Sequence, residues 1–217
     1  VLDKNGNKMS KRLGNAVAPR EVPETYGAHA VRWSMISNSQ PWDNLKFDVD
    51  GVDEVRRKSF GTLYNTYSFF ALYANVDGFT GNEKEIPVAE RPEIDRWIIS
   101  LLNTLVADVT RYLENYDPTP AARAIQEFVG ENLSNWYVRL NRKRFWGGGL
   151  SDDKLAAYQT LYTCLETVAQ LSAPFAPFIS DRIFTDLNAV SGRHSEVSVH
   201  LSSFPVADAS LVDRDLE

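Results

Sequence analysis

Apolar side chains between Glu93 and Tyr116 return at 94, 97, 98, 101, 102, 105, 109, 112 and 113, the three-and-four spacing of one face of a long α-helix. A second stripe, at 52, 55, 60, 63, 64, 67, 70, 71 and 74, predicts a helix from Val52 to Asn75. Between them "VDGFTGNEKEIPVAERP" carries two glycines and two prolines and breaks the pattern. Asp117-Pro118-Thr119-Pro120 stops one helix and starts the next, with Asp117 or Thr119 available as N-cap and a proline at the first helical position. That next helix runs to about Arg144, with a kink expected near Gly130, and ends at Gly147-Gly148-Gly149.

Ser151-Asp152-Asp153 supplies a cap and negative charge for a helix reaching about Leu171. "SAPFAPFISDRIFTDLN" predicts a proline break and a shorter helix, Phe175 to Asn188, and the tail after Gly192 reads as extended. Upstream, residues 1–18 read as a strand end, an Asn5-Gly6 turn and a polar loop, followed by a helix from Gly27 to Ser37. The turn-rich "NSQPWDNLKFDVDG" marks a boundary near residue 50. The expected fold class is therefore mainly α: an antiparallel bundle of four to five long helices over 51–217, preceded by a smaller unit over 1–50.

Charge changes the picture. The chain of 217 residues is acidic, with a net charge of −6, yet residues 1–32 carry six Lys or Arg against three acids, and 139–146 carry four against none. Net charge hides such a distribution, and the distribution is what a polyanion meets. One cysteine, Cys164, sits in a helical run and reads as a core residue, so neither a disulfide nor a multi-cysteine zinc site is available within the chain. The three histidines, His29, His194 and His200, show no metal-ligand spacing, and no G-x-S-x-G nucleophile motif occurs. His29 is expected to be a satisfied, partly buried residue. No stretch approaches the run of roughly 18 apolar residues that a membrane span needs, and the expected location is the cytoplasm.

The first cationic cluster, Lys8-Met9-Ser10-Lys11-Arg12, lies between Gly6 and Gly14. Two lysines three residues apart on a loop are point charges suited to a polyphosphate whose leaving group is gaining charge. The second cluster lies in "LSNWYVRLNRKRFWGG". On a regular helix Leu133, Trp136, Tyr137 and Leu140 share a face expected to pack inward, leaving Arg139, Arg142 and Lys143 free for phosphates. Arg144, nearer the apolar side, is expected to anchor the bundle through a carboxylate, and Trp146 to plug the core rather than to stack on a base.

"KMSKRLGN", followed by "PREV" and "YGAHAVR", resembles the K-M-S-K-S signature region of class I aminoacyl-tRNA synthetases. With "RWSMISNSQPWDNLKF", "NLSNWYVRLNRKRFW", "LSAPFAPFISDRIF" and "SVHLSSFP", the resemblance covers nearly the whole chain and is to the isoleucyl type, with the valyl and leucyl types sharing the loop and bundle. It implies a ligase that joins isoleucine to ATP, with Mg²⁺, releases pyrophosphate, and transfers the aminoacyl group to its tRNA. Residues 1–50 are then the end of the catalytic domain with a stem-contact region, and 51–217 the anticodon-binding domain. Lys8, Met9, Ser10 and Lys11 match the ATP-binding loop, with Lys11 catalytic, while Arg12 departs from the family's serine. Arg139, Arg142 and Lys143 are the expected tRNA contacts. The start at Val1 and the absence of H-I-G-H lead to the expectation of a piece of a longer, monomeric enzyme, inactive by itself and holding no zinc.

Overall fold

Between Leu155 and Ser172 the only charged residue is Glu166, and a helix so poor in charge is stable only when surrounded by other helices. The computed structural model, which describes residues 1–217, places it there. Nine α-helices follow in chain order: α1 (Glu21–Tyr26), α2 (Ala28–Asn38), α3 (Val49–Val55), α4 (Gly61–Asp77), α5 (Glu93–Glu114), α6 (Pro118–Glu127), α7 (Arg139–Trp146), α8 (Asp152–Ser172) and α9 (Pro177–Ser191). Helix α8 is the axis, packed against α4, α5, α6, α7 and α9. Leu161, Cys164, Leu165, Val168 and Leu171 are wholly enclosed. Burial pushes the Cys164 thiol far above its ordinary pKa, as befits a core residue.

The predicted helices stand where the periodicity puts them, with two differences in form. Helices α3 and α4 are one continuous rod interrupted by a π-helical turn, Arg56–Phe60, and a longer π-helical stretch, Phe128–Val138, joins α6 to α7 across Gly130. The second stretch corrects the expected wheel. A π turn, with i→i+5 hydrogen bonds, holds more residues than an α turn, so the buried line falls on Leu133, Tyr137, Asn141 and Phe145. Trp136 and Leu140 are turned outward, 59% and 60% exposed, and Trp146 is not a core plug but 57% exposed.

Caps explain the breaks. The Ser151 hydroxyl accepts from the Lys154 N–H and starts α8. Asp117 occupies the N-cap of α6 but makes no capping hydrogen bond, and Thr119 instead donates to the Ile36 carbonyl at 2.8 Å. The tail is not a strand. It returns over the bundle through 3-10 turns at Val199–Leu201 and Ala209–Leu211, fixed by Asp181 to Val199 N and by Ser100 to Asp213 N.

Residues 1–48 are tied to the bundle through α2. Trp33 is buried against Phe60 and Phe175 and donates to Gln126, while Arg123 donates to the carbonyls of Ser37 and Asn38 at the end of α2. The N-terminal strand end is reduced to isolated bridges, Leu2 to Lys8 and Leu2 to Lys46. No helix is long and apolar enough to cross a membrane.

Candidate functional site

The cationic loop is organised by an acid and an amide twelve residues apart. Asp3 Oδ1 accepts from the N–H groups of Asn5 and Asn7, closing the turn in which Gly6 takes φ 85°. Asp3 Oδ2 accepts from Asn15 Nδ2 at 2.9 Å, and Asn15 Oδ1 accepts from the Ser10 N–H at 2.9 Å. Asn15 Nδ2 also reaches the Lys8 carbonyl, at 3.3 Å. The side-chain hydrogen bond from Asn15, with the backbone donors of Asn7 and Asn5, holds the Asp3 carboxyl below its ordinary range. Sequence reasoning missed both residues. The signal was the Asp-x-Asn-Gly turn and the Gly14-Asn15 pair.

Within this frame Lys11–Leu13 forms one 3-10 turn, with the Ser10 hydroxyl accepting from the Leu13 N–H and Gly14 closing it at φ 66°. Ser10 thus has a structural task at the start of the turn. Lys8, Lys11 and Arg12 are exposed, and none of their side chains meets a carboxylate or makes a hydrogen bond. Met9 is half-buried. The loop therefore presents unneutralised cations on a fixed backbone.

On α7 the four basic residues divide. Arg144 turns inward: its guanidinium donates to both oxygens of the buried Asp95, at 2.7 and 2.9 Å, and forms an ion pair with Asp153. Burial alone would lower the Arg144 pKa, but its hydrogen bonds and the Asp95 charge raise it further above its ordinary value. Tyr137 donates to Asp95 at 2.7 Å, and burial followed by the Asp95 charge pushes its phenol well above the usual range. Arg139, Arg142 and Lys143 stay exposed and unpaired on the outer face. The expected anchoring role of Arg144 is what the structure shows. His29 accepts from the Phe178 N–H and stacks on its ring, with burial and then Arg32 lowering its pKa.

No three His, Cys, Asp or Glu side chains lie close enough together to hold a metal ion. The loop and the α7 face are two separate cationic surfaces, one on a turn and one on a helix, and both suit phosphate rather than a metal.

Residues 95–217 match the family model described as the anticodon-binding domain of tRNA ligase. The chain belongs to that family. Residues 1–48 match a second model, tRNA synthetases class I (I, L, M and V). Among curated relatives, isoleucine–tRNA ligases of Bacteroides fragilis, Porphyromonas gingivalis and Clostridium acetobutylicum are 68%, 64% and 46% identical over all 217 residues. The chain spans about a fifth of their length, 19% to 21%. The crystal structure of the ternary complex of Agrobacterium radiobacter K84 agnB2 LeuRS, tRNA and LeuAMS superposes with a TM-score of 0.70 at 25% identity, over 97% of this chain and 23% of that one. Mycobacterium tuberculosis methionyl-tRNA synthetase, solved with methionyl-adenylate, shares the fold at a TM-score of 0.67 and 22% identity, over 84% of this chain and 36% of that one. In this anticodon-binding family member both cationic surfaces fall inside the matched segments.

Proposed function

We propose that the chain is the part of a cytoplasmic, monomeric isoleucine–tRNA ligase that joins the end of the catalytic domain, residues 1–50, to the tRNA-binding helical domain, 51–217. The observation that carries this is the 68% identity over every residue to a protein described as isoleucine–tRNA ligase. In the whole ligase the isoleucine carboxylate attacks the α-phosphorus of ATP, and the bond to pyrophosphate breaks. Isoleucyl-adenylate then passes its acyl group to the tRNA 3′ end and AMP leaves.

Lys8 and Lys11 supply positive charge to the departing phosphates, with Met9 and Ser10 shaping the turn that carries them. Arg12 extends the same cationic rim. The exposed, unpaired state of these side chains supports the reading, because a cation already neutralised by a carboxylate has little left for a phosphate. Magnesium accompanies ATP in this chemistry, but the donor set here does not fit a magnesium site: the Asp3 oxygens are engaged and the other loop groups are cations.

Arg139, Arg142 and Lys143 contact tRNA phosphates in this reading. The test of the loop is Lys11→Ala in the full-length ligase, assayed by ATP–pyrophosphate exchange. A loss of roughly 10²- to 10³-fold is expected for a lost donor to developing charge. Exchange at the wild-type rate would remove Lys11 from the reaction. The 217 residues alone should form no isoleucyl-adenylate.

A further inference from the structure

Both lysines of the loop hang from one short stretch of backbone. Leu2 forms an antiparallel bridge to Lys8 on one side and a parallel bridge to Lys46 on the other, so residues 8, 2 and 46 lie side by side. On the second side the Leu2 N–H donates to the Leu45 carbonyl at 2.7 Å, and the Phe47 N–H donates to the Leu2 carbonyl at 2.9 Å. The next residue, Asp3, accepts from Asn15, whose amide oxygen holds the Ser10 N–H just ahead of Lys11. Lys8 is thus placed by Leu2, and Lys11 by Asp3.

A ribbon of isolated bridges is marginally stable at best in water and needs an anchor from outside. One side chain supplies it: Asn38 Nδ2 donates to the Lys46 carbonyl at 2.8 Å. That carbonyl and the Phe47 N–H belong to the same peptide group, so Asn38 and Leu2 hold its two ends and fix its plane. Asn38 is itself immobilised. It is the last residue of α2, and α6 meets the carbonyls of all four residues from 36 to 39. The Thr119 hydroxyl lies 2.8 Å from the Ile36 oxygen and 3.1 Å from that of Ser39, and the Arg123 guanidinium donates to Ser37 and Asn38 at 2.7 and 2.9 Å.

We infer that Asn38 is a positioning residue for amino acid activation, its carboxamide setting through Lys46 and Leu2 where Lys8 and Lys11 stand against the phosphates of ATP. Asn38 touches no reacting atom. A misplacement of about 1 Å can cost on the order of a hundredfold in rate, so a turn of the 46–47 peptide reaches the chemistry. The inference rests on the proposed role of the two lysines in the full-length ligase.

The experiment uses the full-length ligase carrying Asn38→Asp, Asn38→Ala, Lys11→Ala, or Asn38→Asp with Lys11→Ala. Each is assayed by ATP–pyrophosphate exchange and, separately, by single-turnover transfer from preformed isoleucyl-adenylate to tRNA. Asn38→Asp keeps the size of the side chain and removes the donor, and Asn38→Ala removes the donor without adding charge. Exchange should fall roughly 10- to 100-fold in both, while transfer, in which no pyrophosphate departs, keeps the wild-type rate. The double variant should lose less than the product of the two single losses, because Asn38 acts through the loop. Wild-type exchange in both Asn38 variants, transfer that falls together with exchange, or a double loss equal to the product overturns the inference and leaves Lys11 in place. Wild-type exchange in Lys11→Ala overturns the underlying reading as well. Asn38 is exposed, so its variants leave the core intact, which thermal melting checks.

Discussion

Arg144 grips both carboxylate oxygens of Asp95, at 2.7 and 2.9 Å, although the two residues are 49 positions apart and Asp95 has no solvent exposure. The pair fixes α7 against the first turn of α5, with Tyr137 as a third member. It therefore decides which way the remaining cations of α7 face.

Asp95→Ala should cost about 3 kcal/mol in stability, the lower end for breaking a buried pair, because it removes the main acceptor of the buried Tyr137 phenol while Arg144 keeps Asp153 as a partner. Urea unfolding of wild type and variant measures it. A loss below about 1 kcal/mol, the worth of an exposed pair, would mean that α7 is held by packing alone.

Asn15→Ala removes the amide that joins Asp3, Lys8 and Ser10 while leaving every loop cation in place. In the full-length ligase, ATP–pyrophosphate exchange should fall by roughly ten- to a hundred-fold through misplacement of Lys8 and Lys11. Asn15→Asp, which can accept from Ser10 but meets Asp3 as a like charge, should not rescue it.

Arg142→Glu combined with Lys143→Glu should weaken tRNA binding and reduce the slope of log Kd against log salt by about 1.4 to 1.8, one lost phosphate contact for each cation. Binding that keeps its slope would place the RNA elsewhere.

Burial and Arg32 lower the His29 pKa in the folded chain. Above the unfolded value of about 6.5 both states are neutral and the stability is complete. As pH falls below that value the unfolded chain takes up the proton first, so stability is lost until the folded pKa is passed. Guanidinium midpoints at pH 8 and pH 6 should differ in this direction, and His29→Gln should reduce the difference.

The helices were legible because each carries a stripe of three-and-four spacing, and because Pro118, Ser151 and the glycines at 147–149 punctuate them. The inward turn of Arg144 was legible too, from its place beside the apolar edge. The π-helical stretch was not. The spacings 133, 136, 137, 140 and 133, 137, 141, 145 both offer a plausible buried line, and only packing against α5 and α8 chooses the second. That choice is what exposes Trp136 and Leu140. The cations of the loop can be counted in the sequence, but the Asp3–Asn15 bond spans the whole loop and leaves no periodic trace.

Trp33 belongs by sequence to the segment that carries the loop, yet its ring is embedded among Phe60 and Phe175 while Arg123 clasps the last carbonyls of α2. The Asn38 side chain in turn donates to the Lys46 carbonyl at 2.8 Å, and Lys46 bridges to Leu2, so the last turn of α2 is a rivet shared by the helical bundle and the segment that carries the cationic loop.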